Sequence, residues 1–584
     1  MRNNIKLMAL FLAGLLSMAA FGSCGKPGSV TIDSDRSQLY VAYYNGGLGE
    51  AWFDRVVADF EEAYADYEFE PGTGKKGVQI VPTKDKGLHG NTIATTITNR
   101  SEQVFLIEDV DYYDYLNYGN LYDITDVVTG TASDSEEKTI EQKLNPSARE
   151  FWNMGTEENS QYYALPYHAS SMNIIYNVDL FEQMGYYFAK VDGVNKTAEG
   201  MTDAELEANL QDLFVVDGTD KEERSDGPDG VHGTADDGLP ATYADFFALC
   251  EMMKLDNVTP VMWNGYALIY LVDMANELWA NYEGAEQMSL NFKLEGEATD
   301  LVDLSDGGIS YDADGSVKLL ESTEIDADNA YMLHLQEGKY QAIRFIKELL
   351  SDPENYYSKS FESSFSHLEA QKNFIRGGYE TGYGKVGMLI EGTWWNQEGR
   401  SYYSDVGNNQ FQNRRFAIMP LPKADASQIG KPNTKLITVM SAVFINGNCS
   451  EEALPIAKEF LRYLHTDEAL NTFTSYTEVM REFDYELTEE SLSRMSYFGK
   501  SVYDMFKGEE SDNYTFMETN PLTELGIRNA SLINYRNWGW KNSDGSTNPF
   551  LVYEAASTKN KSAEEYFEEI YLNYRNNWST LIAK

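Results

Sequence analysis

The sequence predicts an α/β protein, and three observations carry the prediction. Apolar runs of strand length recur along the chain, and segments of helical period separate them. Such alternation builds parallel sheets covered by helices. Two segments, about 216–240 and 283–337, are polar and show neither period, so they read as surface insertions on that scaffold. With 584 residues and three cysteines, the chain can fill more than one core and is not stapled by disulfides.

In chain order, "LYVAYYNGG" at 39–47 begins as a strand. The following "EAWFDRVVADFEEAY" sets Trp52, Val56, Phe60 and Tyr64 four apart, the spacing of an amphipathic helix on a sheet. "VQIVPT" at 78–83 reads as a strand, the Thr-rich stretch 91–99 as a helix, and "QVFLIE" at 103–108 as a buried strand. Further on, "MNIIYN" at 172–177 and "VTPVMWN" at 258–264 are strands. Between them lies the helix "TYADFFALCEMMK", whose Thr242 and Asp245 have capping-box spacing. Helices are expected at 338–350 and at 366–377, the latter opening on Ser366 and Glu369 as a second capping box. Strands follow at 385–392 and 437–445, and the chain closes on the helical "AEEYFEEIYLNYRNNW" at 563–578.

The first forty residues set the compartment. Arg2 and Lys6 precede a charge-free apolar run, Leu7 to Phe21, and then Gly22, Ser23 and Cys24. This is the layout of a secretory signal over residues 1–23, and it is shorter than the roughly 20 residues a membrane-spanning helix needs. A cysteine behind two small residues resembles the lipobox of bacterial lipoproteins, in which the thiol of Cys24 is acylated and becomes the new N-terminus. Secretion with ordinary cleavage nearby is the alternative. Each buried CH₂ of such an anchor contributes ~0.8 kcal/mol, so several acyl chains hold durably. Residues 24–38 then form a short tether, and the protein is expected on the outer face of the cytoplasmic membrane.

The net charge is −47, and it becomes two units more negative once residues 1–23 are removed, since these carry Arg2 and Lys6 and no carboxylate. Nucleic acid and anionic surfaces are excluded as partners. A bridge between Cys250 and Cys449 is the less favoured reading of the two remaining thiols. The aromatic share of 13% includes 40 Tyr and 9 Trp, rings that suit sugar surfaces as well as cores.

Taken in order, "YYNGG", "LYDITDVV", "ALPYHASSMNIIYNVDLFEQMG", "PATYADFFALCEMMK", "VTPVMWNG", "EAQKNFIRGGYETGYGKVGMLIEGTWW" and "LITVMSAVFINGNCSEEALPIAKEFLRYL" resemble the family 1 extracellular solute-binding proteins of ABC importers, which are maltose-binding-protein-like. The resemblance covers nearly all of the mature chain. It implies a periplasmic-binding-protein-like clamshell of type II: two α/β lobes, a hinge crossed more than once, and a monomer. Lobe one would hold 39–167 plus 419–466, and lobe two 168–418 plus 467–584. Closure around a carbohydrate, with an oligosaccharide favoured, would present the closed shape to the permease subunits.

Ligand contacts are expected where strands end. Tyr44 and Asn45 follow the first strand, and Asp109 and Asp111 follow "QVFLIE", where a helix N-cap is an equal alternative for each. The resemblance points to His168 and Ser170 at the first crossing. It also points to Trp263, Asn264 and Tyr266 after "VTPVM", to Trp394 with Trp395 turned elsewhere, and to Trp538 and Trp540 late in lobe two. A pyranose face laid on an indole is stabilised by ~25 cal/mol per Å² of buried apolar surface.

Asp226, Asp229, Asp236 and Asp237 in "DGPDGVHGTADDG" suit a structural Ca²⁺, which takes oxygen ligands; a solvated acidic turn is the alternative. No other cofactor is expected. HExxH, GxSxG and P-loop patterns are absent, and the protein is expected not to be an enzyme. A secreted carbohydrate-active enzyme, or a binding protein for a non-sugar solute or a membrane sensor, are the competing readings.

Overall fold

The computed structural model describes residues 31–88, 94–108, 112–156, 158–305, 307–313, 315–403, 413–437, 441–507 and 561–581. The expectations for the signal segment and Cys24 lie outside these residues. No helix among the described residues is long and apolar enough to cross a membrane.

Two sheets organise the chain. The first contains β1 (Ser37–Tyr43), β2 (Val78–Lys84), β3 (Val104–Glu108), β4 (Leu165–Pro166) and a much later strand, β13 (Ser441–Ile445), in the order β2-β1-β3-β13-β4. β1 runs parallel to β2 and β3, whereas β13 runs antiparallel to β3 and β4, pairing Ser441 with Glu108 and Ala442 with Pro166. Helix α1 (Ala51–Ala63) covers this sheet with Trp52, Phe53, Val56 and Phe60. Phe53, outside the fourfold spacing, stacks on Tyr43 with ring centres 4.3 Å apart.

The second sheet contains β5 (Met172–Asn177), β8 (Thr259–Met262), β11 (Val386–Gly392) and β12 (Phe416–Met419), in the order β12-β5-β11-β8. β5 and β11 are buried along their whole length, as central strands covered on both faces must be. Two small antiparallel ladders lie apart from these sheets: β6 (Lys190–Val191) with β7 (Val194–Asn195) precedes the 216–240 insertion, and β9 (Gly296–Ala298) with β10 (Thr323–Ile325) lies within the 283–337 one.

Helix α2 (Tyr243–Leu255) opens on the expected box: the Asp245 amide donates to Thr242 Oγ1 at 3.3 Å and the Thr242 amide to Asp245 Oδ2 at 3.1 Å. Its Cys250 is buried and free, as is the partly exposed Cys449. Helix α3 (Ile269–Lys293) is two helical stretches joined at Gly284, whose φ of 71° and ψ of 174° break the helix. Residues 285–293 are therefore helical, although the sequence places them in an insertion. α4 (Glu337–Ser351) and α5 (His367–Arg376) follow. On α5 the Glu369 amide is capped by Ser366 Oγ at 3.2 Å, so the observed N-cap is the serine. The helix expected at 91–99 is not observed; among its described residues only Ile97–Asn99 form a 3₁₀ turn.

Short α6 (Trp395–Glu398) follows β11. α7 (Leu454–Tyr463) and α8 (Asp467–Thr477) return to the first sheet, where Phe460 meets Phe60 at 5.0 Å and Phe473 meets Trp52 at 4.9 Å. This corrects the expected boundary at residue 466. α8 buries Phe473 against Trp52 and Tyr167, so the passage to the second sheet comes after Thr477. α9 (Tyr497–Lys507) then packs on β12, with Ser501 Oγ accepting from the Ile418 amide at 3.2 Å. α10 (Ala563–Leu581) ends the description. It covers the 283–337 insertion: His334 stacks on Tyr574 at 3.6 Å, and the Trp578 indole donates to the Ala327 carbonyl at 2.9 Å.

Among the described residues the chain thus passes between the sheets three times: between β4 and β5, between β12 and β13, and between α8 and α9. Two of the passages are tied together. The Ala169 amide donates to the Met480 carbonyl at 2.8 Å, and buried Arg481 donates to the carbonyls of Pro166 and Leu464 at 2.8 and 2.7 Å.

Candidate functional site

The site is built where the strands of both sheets end. On the first sheet, β1 runs into Tyr44-Asn45-Gly46-Gly47, a turn closed by the Leu48 amide on the Asn45 carbonyl at 2.6 Å. Gly46 and Gly47 have φ of 46° and 88°, a region that favours glycine. A Cβ on Gly46 would fall inside the Glu108 carboxylate. Tyr44 and Asn45 are half-buried, and the Tyr44 carbonyl is held by the buried Tyr167 hydroxyl at 3.2 Å.

Glu108, the last residue of β3, anchors a relay. His168 Nε2 donates to Glu108 Oε1 at 2.9 Å, and Ser170 Oγ donates to His168 Nδ1 at 2.8 Å. The His168 amide also donates to Ser441 Oγ at 3.0 Å, which fixes the first crossing to the start of β13. The relay has the connectivity of a nucleophile, base and acid. Ser170 is 0% exposed and His168 2%, however, so the serine oxygen is closed to a substrate and the relay braces the hinge.

On the second sheet, β11 ends in Gly392-Thr393-Trp394. The Trp394 ring folds back over Gly392, leaving no space for a Cβ there. It also stands edge-on to Tyr270 at 6.0 Å, and its indole hydrogen-bonds the Tyr270 hydroxyl. A Cβ on Gly47 would lie 3.4 Å from both Trp394 Cδ1 and the Glu398 side chain. The Gly46-Gly47 turn and the Trp394 ring therefore face one another across the two sheets. Glu398 accepts from Gln371 Nε2 at 2.6 Å and faces His367 Nε2 at 3.3 Å, and it raises the His367 imidazole above its ordinary value.

Beneath this surface lie buried acids. Burial, with Glu398 nearby, pushes the Glu391 carboxyl well up, and the Gly392 amide donates to it at 3.3 Å. Glu277 is raised by burial and Lys435 lowered by burial, each partly offset by the other. Lys435 Nζ donates to Asn173 Oδ1 at 3.2 Å, and Glu277 Oε2 accepts from the Leu436 amide at 3.1 Å.

Other expected contacts fall elsewhere. Trp263 is wholly buried between Tyr356 and Phe361, with ring centres 5.0 and 5.5 Å away, and is a core residue. Asn264 is buried and accepts from the Ala267 amide at 2.6 Å, which makes it a turn-former before α3. Tyr266 is 71% exposed, so it covers no apolar face. Trp395 packs among Phe374, Phe416 and Phe498. Asp109, Asp111, Trp538 and Trp540 lie outside the described residues. The residues brought to the site that the sequence reading missed are Glu108, Tyr270, Glu391 and Glu398. Of these, Glu108 and Glu391 carried a signal, a carboxylate ending or interrupting an apolar strand run.

Comparison with solved structures gives the same architecture over nearly the whole chain. The mannobiose complex of BlMnBP1, a binding protein of an ABC transporter from Bifidobacterium animalis subsp. lactis, is 12% identical with a TM-score of 0.50, covering 94% of this chain and 95% of that one. Maltose-bound MalE3 of T. maritima is 12% identical with a TM-score of 0.50, covering 92% and 99%. A structure described under xylan utilization by the thermophilic bacterium Caldanaerobius polysaccharolyticus gives the same identity, TM-score and coverage as MalE3. The chain has the bilobal solute-binding-protein fold. No protein-family profile matches it, and no curated protein sequence does.

The acidic insertion, where a structural Ca²⁺ is expected, lies outside the two sheets of this solute-binding fold. Its carboxylates are taken by protein donors. Asp226 accepts from Lys190 Nζ at 2.6 and 2.8 Å and from Asn195 at 3.1 Å. Asp229 accepts from the Val231 amide, Asp236 from the Asp229 amide and Thr234, and Asp237 from the Gly233 amide. Lys190 brings its own positive charge to Asp226. Among the described residues, no group of three or more His, Cys, Asp or Glu side chains is arranged to hold a metal.

Proposed function

We propose that the protein is a lipid-anchored, extracytoplasmic solute-binding protein that captures an oligosaccharide and delivers it to an ABC importer by closing its two lobes. The observation that carries this reading is Trp394, at the end of β11, facing the Gly46-Gly47 turn at the end of β1. An indole offered by one lobe and a bare backbone turn by the other suit a flat apolar sugar face with hydroxyls at its rim. The neighbours of the same fold described with mannobiose and with maltose support the ligand class. The chain performs no bond-breaking step in this reading, since the Ser170–His168–Glu108 relay is buried.

Calorimetry against a panel of manno-, malto- and xylo-oligosaccharides tests it. At least one sugar is expected to bind near the micromolar range, roughly −8 kcal/mol, and to be recovered uncleaved by chromatography. Trp394→Ala is expected to weaken that affinity by about tenfold or more, the loss of most of one ring's buried area. No binding across the panel, or release of shortened sugar, overturns the reading. Anchorage through Cys24 is tested by palmitate labelling of wild-type cells and of Cys24→Ala, the label being expected only in the former.

A further inference from the structure

A cavity of about 580 Å³ lies between α6, β12 and the third crossing, on neither face of the site described above. Next to it a second cavity of about 290 Å³ adds Ser475 and Tyr476 of α8. The two share Gln397, Arg400, Glu478 and Arg494, so they form one groove running from the second lobe to a helix of the first. In a chain with 93 Asp and Glu against 46 Lys and Arg, this groove carries three arginines, Arg400, Arg414 and Arg494, and one carboxylate, Glu478.

That carboxylate is spent. Glu478 accepts from the Ser496 amide at 2.7 Å, from Asn396 Nδ2 at 2.6 Å and from Ser496 Oγ at 2.9 Å. Arg414 is only partly spent. It is 7% exposed, wedged over Tyr379 and Phe416 with its guanidinium carbon 4.3 and 4.9 Å from the ring centres. Nη1 donates to the Ile375 carbonyl at 2.6 Å and Nε lies 3.3 Å from Asp179 Oδ2, whereas among the described residues Nη2 has no partner. A buried guanidinium with an unmet donor costs stability unless an acceptor reaches it. Exposed Arg400 donates to Gln397 Oε1 at 3.1 Å, and exposed Arg494 pairs with Glu490 one turn back on its own helix and lies over the Tyr476 ring, 5.8 Å from its centre. Planar forks of this kind suit oxyanions.

We propose that this groove binds a phosphate-type oxyanion, free or as the ester of a small metabolite. Because Ser475 and Tyr476 belong to the first lobe and Arg414 to the second, the bound anion is linked to the lobes' relative position. The proposal rests on the groove alone and stands apart from the reading of the sugar site.

Calorimetry of the sugar-free protein with inorganic phosphate, and separately with glucose 6-phosphate, in chloride buffers of matched ionic strength, tests it. Saturable binding of either is expected, and the stronger of the two identifies the source. Arg414→Gln and the exposed pair Arg400→Gln/Arg494→Gln are each expected to weaken it about tenfold or more. If Arg414→Gln does not fold, the exposed pair decides alone. Absence of saturable heat with both ligands, or affinity unchanged in the exposed pair, overturns the proposal.

Discussion

Single residues at the strand ends are held by close approach. Gly46 sits at a φ of 46° with the Glu108 carboxylate where its Cβ would be. Gly46→Ala is expected to lower stability by about 2 kcal/mol or more, since left-handed backbone and a displaced carboxylate both penalise the methyl group. Gly49→Ala, at a φ of 79° with nothing within 4 Å, keeps only the first of these and is expected to lose ~1 kcal/mol. Thermal melts of the two variants separate strain from collision. A second residue carries a pH signature: burial, with Glu337 nearby, pushes the Asp300 carboxyl up to about 7. Its folded value lies above its unfolded one, so the native state holds the proton longer, and the stability it contributes falls as pH rises from about 4 to 7. Asp300→Asn is expected to raise the melting temperature relative to wild type at pH 8 and to leave it unchanged at pH 4. An equal shift at both values would show that the proton is not the cause.

Among elements, α10 holds the 283–337 insertion in place. Its Trp578 indole donates to the Ala327 carbonyl and its Tyr574 ring lies on His334, so one helix fixes an insertion that has little regular structure of its own. Trp578→Ala is expected to cost about 3 kcal/mol and to open residues 315–337 to limited proteolysis before the sheets unfold. The sequence made α10 legible as a helix, from "AEEYFEEIYLNYRNNW", but not its partner, because His334 and Ala327 lie in a stretch with no period to read. The same limit explains the tryptophans. Trp263 and Trp394 both follow an apolar strand in the sequence, and only the structure separates the first, enclosed by Tyr356 and Phe361, from the second, set against the Gly47 turn. Glu391 was legible and overlooked: an acid inside "GMLIEG" has to be buried, and a buried acid beside a strand end marks a site.

At the scale of the molecule, the strands themselves follow from the apolar runs, whereas the antiparallel places of β5 and β13 in sheets expected to be parallel, and the boundary after Thr477, do not. α8 has the same helical period whichever lobe it joins, and only Phe473 against Trp52 assigns it to the first. Small-angle scattering with and without a bound oligosaccharide is expected to show a smaller radius of gyration in the complex, as hinge closure requires. Profiles that superimpose at saturating sugar would mean that binding does not move the lobes.

The position of β13 has a consequence for how the molecule is made. This strand lies between β3 and β4 in the first sheet, yet it follows every strand of the second in sequence. A chain emerging N-terminus first therefore has an incomplete sheet, with the edges of β3 and β4 unsatisfied, until residue 445 has appeared. Such long-range pairing is slow to form and exposes adhesive strand edges while it waits. On the proposed reading of an exported chain the delay is useful, because a chain that cannot finish its first half early stays threadable through the translocation pore.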